Sequence, residues 1–178
     1  MLRKYLQKVL LISTACCFLS FTVRAEEGVL EDVKSVYIYN FLSFIEWPLS
    51  LVQPKDRYLL CVSATESFVN KLNRAVTNEK VNGLPIQVMP LDNLKTANQC
   101  HLLYLQDESK FSVETLLGLQ KNGTLIVGES ASFLSSDAGM IGFESRGMKV
   151  RVAINLTHML NAGFKVSSKL LRVVRIER

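Results

Sequence analysis

The sequence predicts an α/β fold: a single three-layer sandwich domain, with a mixed, mostly parallel sheet and helices on both faces. Three observations carry this. Short apolar runs alternate with stretches whose apolar residues recur at helical three- and four-residue steps. One run, Cys100 to Leu105, is almost wholly apolar, as expected of a strand covered on both faces. A late pair of runs brackets Arg146-Gly147, a hairpin signal that adds an antiparallel portion.

The elements follow in order. Residues 29 to 46 read as a helix, with Leu30, Val33, Tyr37, Phe41 and Phe44 on one stripe and Ile38, Leu42 and Ile45 on a second. Trp47-Pro48 ends it, because proline disfavours helical geometry in the residue before it. A helix apolar nearly all round is either sandwiched in its own domain or offered to a partner; aromatic stripes usually serve cores. Tyr58 to Ala64 is a strand, and Glu66 to Val76 is a helix carrying Phe68, Val69 and Leu72. Asn82-Gly83 is a turn, Ile86 to Met89 a second strand, and Cys100 to Leu105 a third. Val113 to Gln120 is a helix capped by Asn122-Gly123, and Thr124 to Val127 is a fourth strand. Met140 to Phe143 and Met148 to Ile154 form the hairpin. Leu156 to Ala162 is helical, Gly163 stops it, and Ser167 or Ser168 caps a last helical segment beginning near Lys169.

Charge excludes one class of partner. The chain of 178 residues carries a net +5, but four of its 21 basic residues, Arg3, Lys4, Lys8 and Arg24, lie in the first 25, which hold no acid. The other 17 stand against 16 acids, so no nucleic acid is expected as a partner. The first 25 residues instead read as a secretory signal. A short positive start precedes the apolar run Val9 to Val23, and Val23-Arg24-Ala25 offers small residues for cleavage after Ala25. The run is about fifteen residues, short of the ~20 that span a bilayer. Residues 26 to 178 are then the exported domain.

Export changes how the cysteines read. Cys16 and Cys17 leave with the signal, and Cys61 and Cys100 remain. An even pair in an oxidising compartment favours a disulfide over two separately buried thiols. With two histidines, His101 and His158, the remaining ligands are too few and scattered for a structural zinc site.

Catalytic signatures fail one by one. Asn122 to Ser130 has glycines spaced as in a phosphate loop, but Glu129 stands where lysine is required. Gly128 to Ser132 approaches a nucleophile elbow without its second glycine. Asp107-Glu108 reads as a solvated loop. No nucleophile, base or metal set emerges, so neither enzyme activity nor a cofactor is expected. The chain reads as a binder. Its biased surface is the carboxy-terminal segment, where Lys165, Lys169, Arg172, Arg175 and Arg178 face only Glu177 and interleave with apolar residues. It is either a terminal element packed on the core or an attachment surface for an acidic partner or anionic headgroups.

Together these segments resemble the YfiR family of periplasmic regulators. The matching pieces are Lys34 to Pro48 (KSVYIYNFLSFIEWP), the Cys61 and Cys100 separation, Cys100 to Tyr104 and Met140 to Phe143. The most specific is Val150 to Leu156 (VRVAINL), followed by Ala162 to Leu171 (AGFKVSSKLL). The resemblance implies a non-enzymatic repressor that binds the periplasmic region of an inner-membrane diguanylate cyclase, lowering cyclic di-GMP and biofilm formation. An OmpA-like outer-membrane lipoprotein that sequesters the repressor is a second implied partner, and a homodimer stays open. Cys61 and Cys100 match the family's central pair, while a second pair carried by some relatives is missing here. The expected partner surface comprises Arg151, Asn155, Met159, Phe164 and Arg172, with Asn155 alternatively capping the helix that follows it. The competing class is a periplasmic sensor module that binds a small molecule at the end of the sheet.

Overall fold

The computed structural model describes residues 28–48, 56–91, 94–147 and 149–177. The leader, with its cleavage point after Ala25, lies outside the described residues. In chain order the elements are α1 (28–44), β1 (Ile45–Glu46), β2 (Tyr58–Ser63), α2 (Glu66–Ala75), β3 (Lys80–Val81) and β4 (Leu84–Pro90). Then come β5 (Leu102–Leu105), α3 (Val113–Lys121), β6 (Leu125–Gly128), α4 (Ala131–Leu134), β7 (Ile141–Arg146) and β8 (Lys149–Asn155). The chain ends with α5 (Leu156–Asn161), β9 (Lys165–Val166), α6 (Ser168–Leu171) and β10 (Arg175–Glu177).

Strand side chains point alternately to the two faces of a sheet, and here each face has its own core. Leu60, Val62, Leu102, Tyr104, Leu125 and Val127 pack on one side with α1, α2, α5 and α6. Cys61, Leu103, Leu105 and Ile126 pack on the other with α3 and Phe133 of α4. Two cores fed by the same strands explain why Leu102–Leu105 carries no charged residue and is buried throughout. The result is the three-layer arrangement.

The main sheet has the order β10-β8-β7-β6-β5-β2-β4-β3. Five of its pairings among the described residues are parallel, and the β3/β4 and β7/β8 pairings are antiparallel. The β2-to-β4 crossover carries α2 on one face, whereas the β5-to-β6 crossover carries α3 on the other. Strand order therefore reverses between β2 and β5, the kind of position where open α/β sheets form a crevice at their carboxyl edge. Cys61 in β2 and Cys100 just before β5 are disulfide-bonded with their Cα atoms 5.7 Å apart, linking these two strands on the α3 side.

The structure departs from the sequence expectation at the short elements. The first helix ends at residue 44, and Ile45 and Glu46 pair antiparallel with Val166 and Lys165. Ile45 suits a helical stripe and a strand equally well, and the partner that decides between them lies 121 positions away. The last helical segment is a single turn, capped by Ser167 through the Leu170 amide. It gives way to β10, which runs parallel to β8 with Ile176 opposite Ile154. The Asn82-Gly83 turn closes a β3/β4 hairpin, both residues having positive φ (51° and 83°) as such two-residue turns require.

Candidate functional site

Expected partner residues separate into exposed and buried members. Arg151 is exposed in the middle of β8, opposite Glu144 of β7. Arg172 is exposed at the end of α6. Asn155 caps α5, its Oδ1 accepting from the His158 amide at 3.0 Å. Met159 and Phe164 are core residues, which corrects their reading as surface contacts. The reason is local: Gly163, at φ 84°, lets the chain fold back so that the Phe164 amide bonds the Met159 carbonyl at 2.9 Å. Phe164 then meets the edge of Trp47, 5.8 Å between ring centroids.

A charged network sits at the carboxyl edge of β5 and β6. Tyr104 points into the α1/α2 core and donates its hydroxyl to Glu129 Oε1. Lys34 of α1 donates to Glu129 Oε2 at 2.5 Å, their side chains only 13% and 20% exposed. Glu108 accepts from the Glu129 amide and, at 2.9 Å, from the Ser130 amide. Gly128 makes this possible, since a Cβ there would overlap the Phe133 ring and the Glu108 carboxylate. Burial, and secondarily the Glu129 charge, raises the Tyr104 phenol far above its ordinary pKa. On the flank, Lys71 of α2 pairs with Glu31 at 3.1 Å and Asp32 at 3.3 Å, and donates to the Gly28 carbonyl at 2.6 Å. Two lysines thus fasten α1 over this edge. The Tyr104 phenol, held protonated, and the Glu129 carboxylate, matched by the Lys34 ammonium, together clamp the helix.

Sequence reasoning missed Glu108 and Glu129 because it compared their loops with catalytic motifs. The signal available was the run of buried strand residues leading to Glu129, which placed a carboxylate where a nearby cation had to meet it.

Beside the disulfide, His101 is buried and takes the Leu59 amide on Nδ1 at 3.0 Å. Its Nε2 finds no hydrogen-bond partner among the described residues, and its ring meets Tyr58 edge-on. Desolvation lowers its pKa.

The outer side of α1 forms a third feature. Val33, Val36, Tyr37 and Phe44 make one wall of an apolar groove of about 500 Å³, and Lys169 and Val173 make part of the other. Val36 is 47% exposed and Val173 68%, unusual openness for large apolar side chains. The helix is therefore a core element through Ile38, Phe41 and Leu42 and exposes apolar side chains at Val33 and Val36. No helix among the described residues is long and apolar enough to cross a membrane.

The family model described as YfiR/HmsC-like matches residues 31–175, from α1 to the start of β10. The chain belongs to that family. YfiR/HmsC-like proteins are periplasmic regulators of diguanylate cyclase signalling, regulatory rather than catalytic. No curated protein matches the sequence. Among solved structures, the chain is similar to an ABC domain in complex with L-Trp from Streptococcus pneumonia, with a TM-score of 0.51 and 7% identity. That match covers 79% of this chain and 59% of the other, so the chain spans less than two thirds of that protein's length. At such identity the likeness is one of fold. In this YfiR/HmsC-like chain, the matched segment contains the disulfide, the charged network and the α1 groove.

Proposed function

We propose that this YfiR/HmsC-like chain is a periplasmic repressor of an inner-membrane diguanylate cyclase. It binds the cyclase's periplasmic region and lowers cyclic di-GMP and biofilm formation. The observation that carries this reading is the family match across residues 31–175. The amino-terminal signal pattern supports export, with cleavage after Ala25 leaving residues 26–178. An OmpA-like outer-membrane lipoprotein is the second proposed partner, one that withdraws the repressor from the cyclase.

The mechanism is differential binding. A periplasmic protein changes a cytoplasmic reaction by preferring one conformation of the membrane protein, and it shifts the equilibrium only by its difference in affinity for the two states. Of the surface first expected, the exposed cations Arg151 and Arg172 are the members available to such a partner. The test is deletion of the gene with measurement of cyclic di-GMP, together with co-purification of the tagged mature chain and the cyclase from detergent-solubilised membranes. Higher cyclic di-GMP on deletion, restored by the plasmid-borne chain, and a retained cyclase support the reading. Unchanged cyclic di-GMP refutes it.

A further inference from the structure

The outward stripe of α1 and the basic carboxy-terminal segment meet at one place, and the charged network and the disulfide leave that place unused. Val29, Val33 and Val36 are all exposed and recur at steps of four and three, so they line one face of α1. From Val29 to Phe44 the stripe runs about 22 Å at helical rise, past the groove itself, which begins at Val33. Asn40 lies in the same wall but spends its amide on the Val36 carbonyl at 2.8 Å. The slot is therefore apolar along its length, with its positive charge at one side. Lys169 lines it, Arg172 stands exposed one residue before Val173, and neither makes an ion pair with a described residue.

We infer that the groove between α1 and α6 is the docking slot for an amphipathic helix of the partner protein, one whose apolar face is flanked by acidic side chains. The inference rests on the proposed function, which supplies the cyclase's periplasmic region as the owner of that helix. Shape and charge select this occupant. An elongated apolar slot takes a helix through anchors at three- and four-residue steps, whereas a small ligand needs convergent polar groups that this wall does not present. A bilayer is met by apolar side chains that project from a convex face, and these flank a concavity. A second copy in a two-fold contact would bring Lys169 and Arg172 against a face with no acid among its lining residues. Acidic flanks on a foreign helix satisfy both cations.

The test uses the full mature chain in cells. A photoreactive benzoyl-phenylalanine is placed at Val36, and at Val113 on α3 as a control on the opposite face, and crosslinked products are identified by mass spectrometry. Val36→Glu with Val173→Glu introduces carboxylates at exposed positions, so the thermal midpoint stays near wild type while partner affinity falls roughly tenfold or more. Lys169→Glu with Arg172→Glu weakens binding with a loss that shrinks as salt is raised. The expected result is a crosslink from Val36, absent from Val113, to an acid-flanked helix in the cyclase's periplasmic region, and cyclic di-GMP as high in the Val36→Glu, Val173→Glu strain as in the deletion. A crosslink only to lipid, to a second copy or to nothing overturns the groove. So does full repression by the double glutamate variant in a background where deletion raises cyclic di-GMP, a result that leaves the repressor reading standing. If deletion itself changes nothing, both fall.

Discussion

Reducing the Cys61–Cys100 bond tests whether the stability of this protein depends on joining β2 to β5. The bond spans a sequence separation of 39 residues. In the chain-entropy account, closing a loop of that length removes freedom from the unfolded chain worth about 4 kcal/mol at 25 °C. For a domain of roughly 150 residues the unfolding entropy makes each kcal/mol worth about 3 °C in midpoint, so its loss lowers Tm by roughly 12 °C. Two perturbations separate the cross-link from the packing of the sulfurs. Dithiothreitol opens the bond and keeps both sulfurs in the α3-side core; Cys61→Ala with Cys100→Ala removes them and adds a small cavity. Alanine is chosen because both cysteines are buried among apolar neighbours, where a serine hydroxyl would need a partner. Circular dichroism melts of the mature chain give the three midpoints. The reduced wild type should melt about 12 °C below the oxidised form, and the double alanine variant slightly lower again. A reduced form within about 3 °C of the oxidised one would refute the loop-closure reasoning, since strain or residual unfolded structure would then have cancelled it.

Three further outcomes are expected. Because burial depresses the His101 pKa, the unfolded chain takes up a proton that the folded chain refuses. Stability is therefore fully present above the ordinary histidine value and falls as pH drops from there through the folded value. Urea midpoints at pH 7.5 and 5 should show this slope, and His101→Phe should flatten it. Lys34→Met strands the Glu129 carboxylate beside Tyr104 and should cost about 2 kcal/mol, read as a lower urea midpoint with m unchanged. Asn155→Ala removes the α5 cap for about 1 kcal/mol while Asn155→Ser restores most of it; a loss of partner binding in the alanine variant at unchanged stability would instead make Asn155 a contact residue.

Which parts of this structure were legible in the sequence follows from how many constraints each residue answers to. Residues in β2, β5 and β6 feed two cores, so their apolar runs have one physical reading, and the strands were expected close to where they lie. The ends of the chain's short elements answer to single distant partners. Ile45 matches helical and strand periods alike until Val166 is beside it. Arg175 to Glu177 reads as the continuation of a helix until β8 offers an open edge. Met159 and Phe164 lie next to an exposed basic segment in sequence, yet the turn at Gly163 carries both inward. Glu108 and Glu129 were hardest, because a carboxylate that fastens a helix has the same composition as a solvated loop. The lysine that meets Glu129 sits 95 positions away, and Glu108 is held by two backbone amides just past β6.

The two ways of weakening such a regulator have different structural addresses, and that makes them separable. Reduction at Cys61–Cys100 and protonation of His101 both act at the seam between β2 and β5, where they change how much folded protein exists. The α1 groove lies on the other face of the sheet, and its rim residues Val33, Val36 and Val173 are exposed enough to change without disturbing the core beneath. If the chain acts as the proposed repressor, a perturbation at the seam should lower its level and raise cyclic di-GMP in proportion. A perturbation in the groove should raise cyclic di-GMP at constant protein level. Quantifying both in the same strains, by immunoblot and nucleotide extraction, sorts each variant by mechanism. A seam variant that derepresses at full protein level would show that β2 and β5 communicate with the partner surface through conformation, and the two addresses would not be separate.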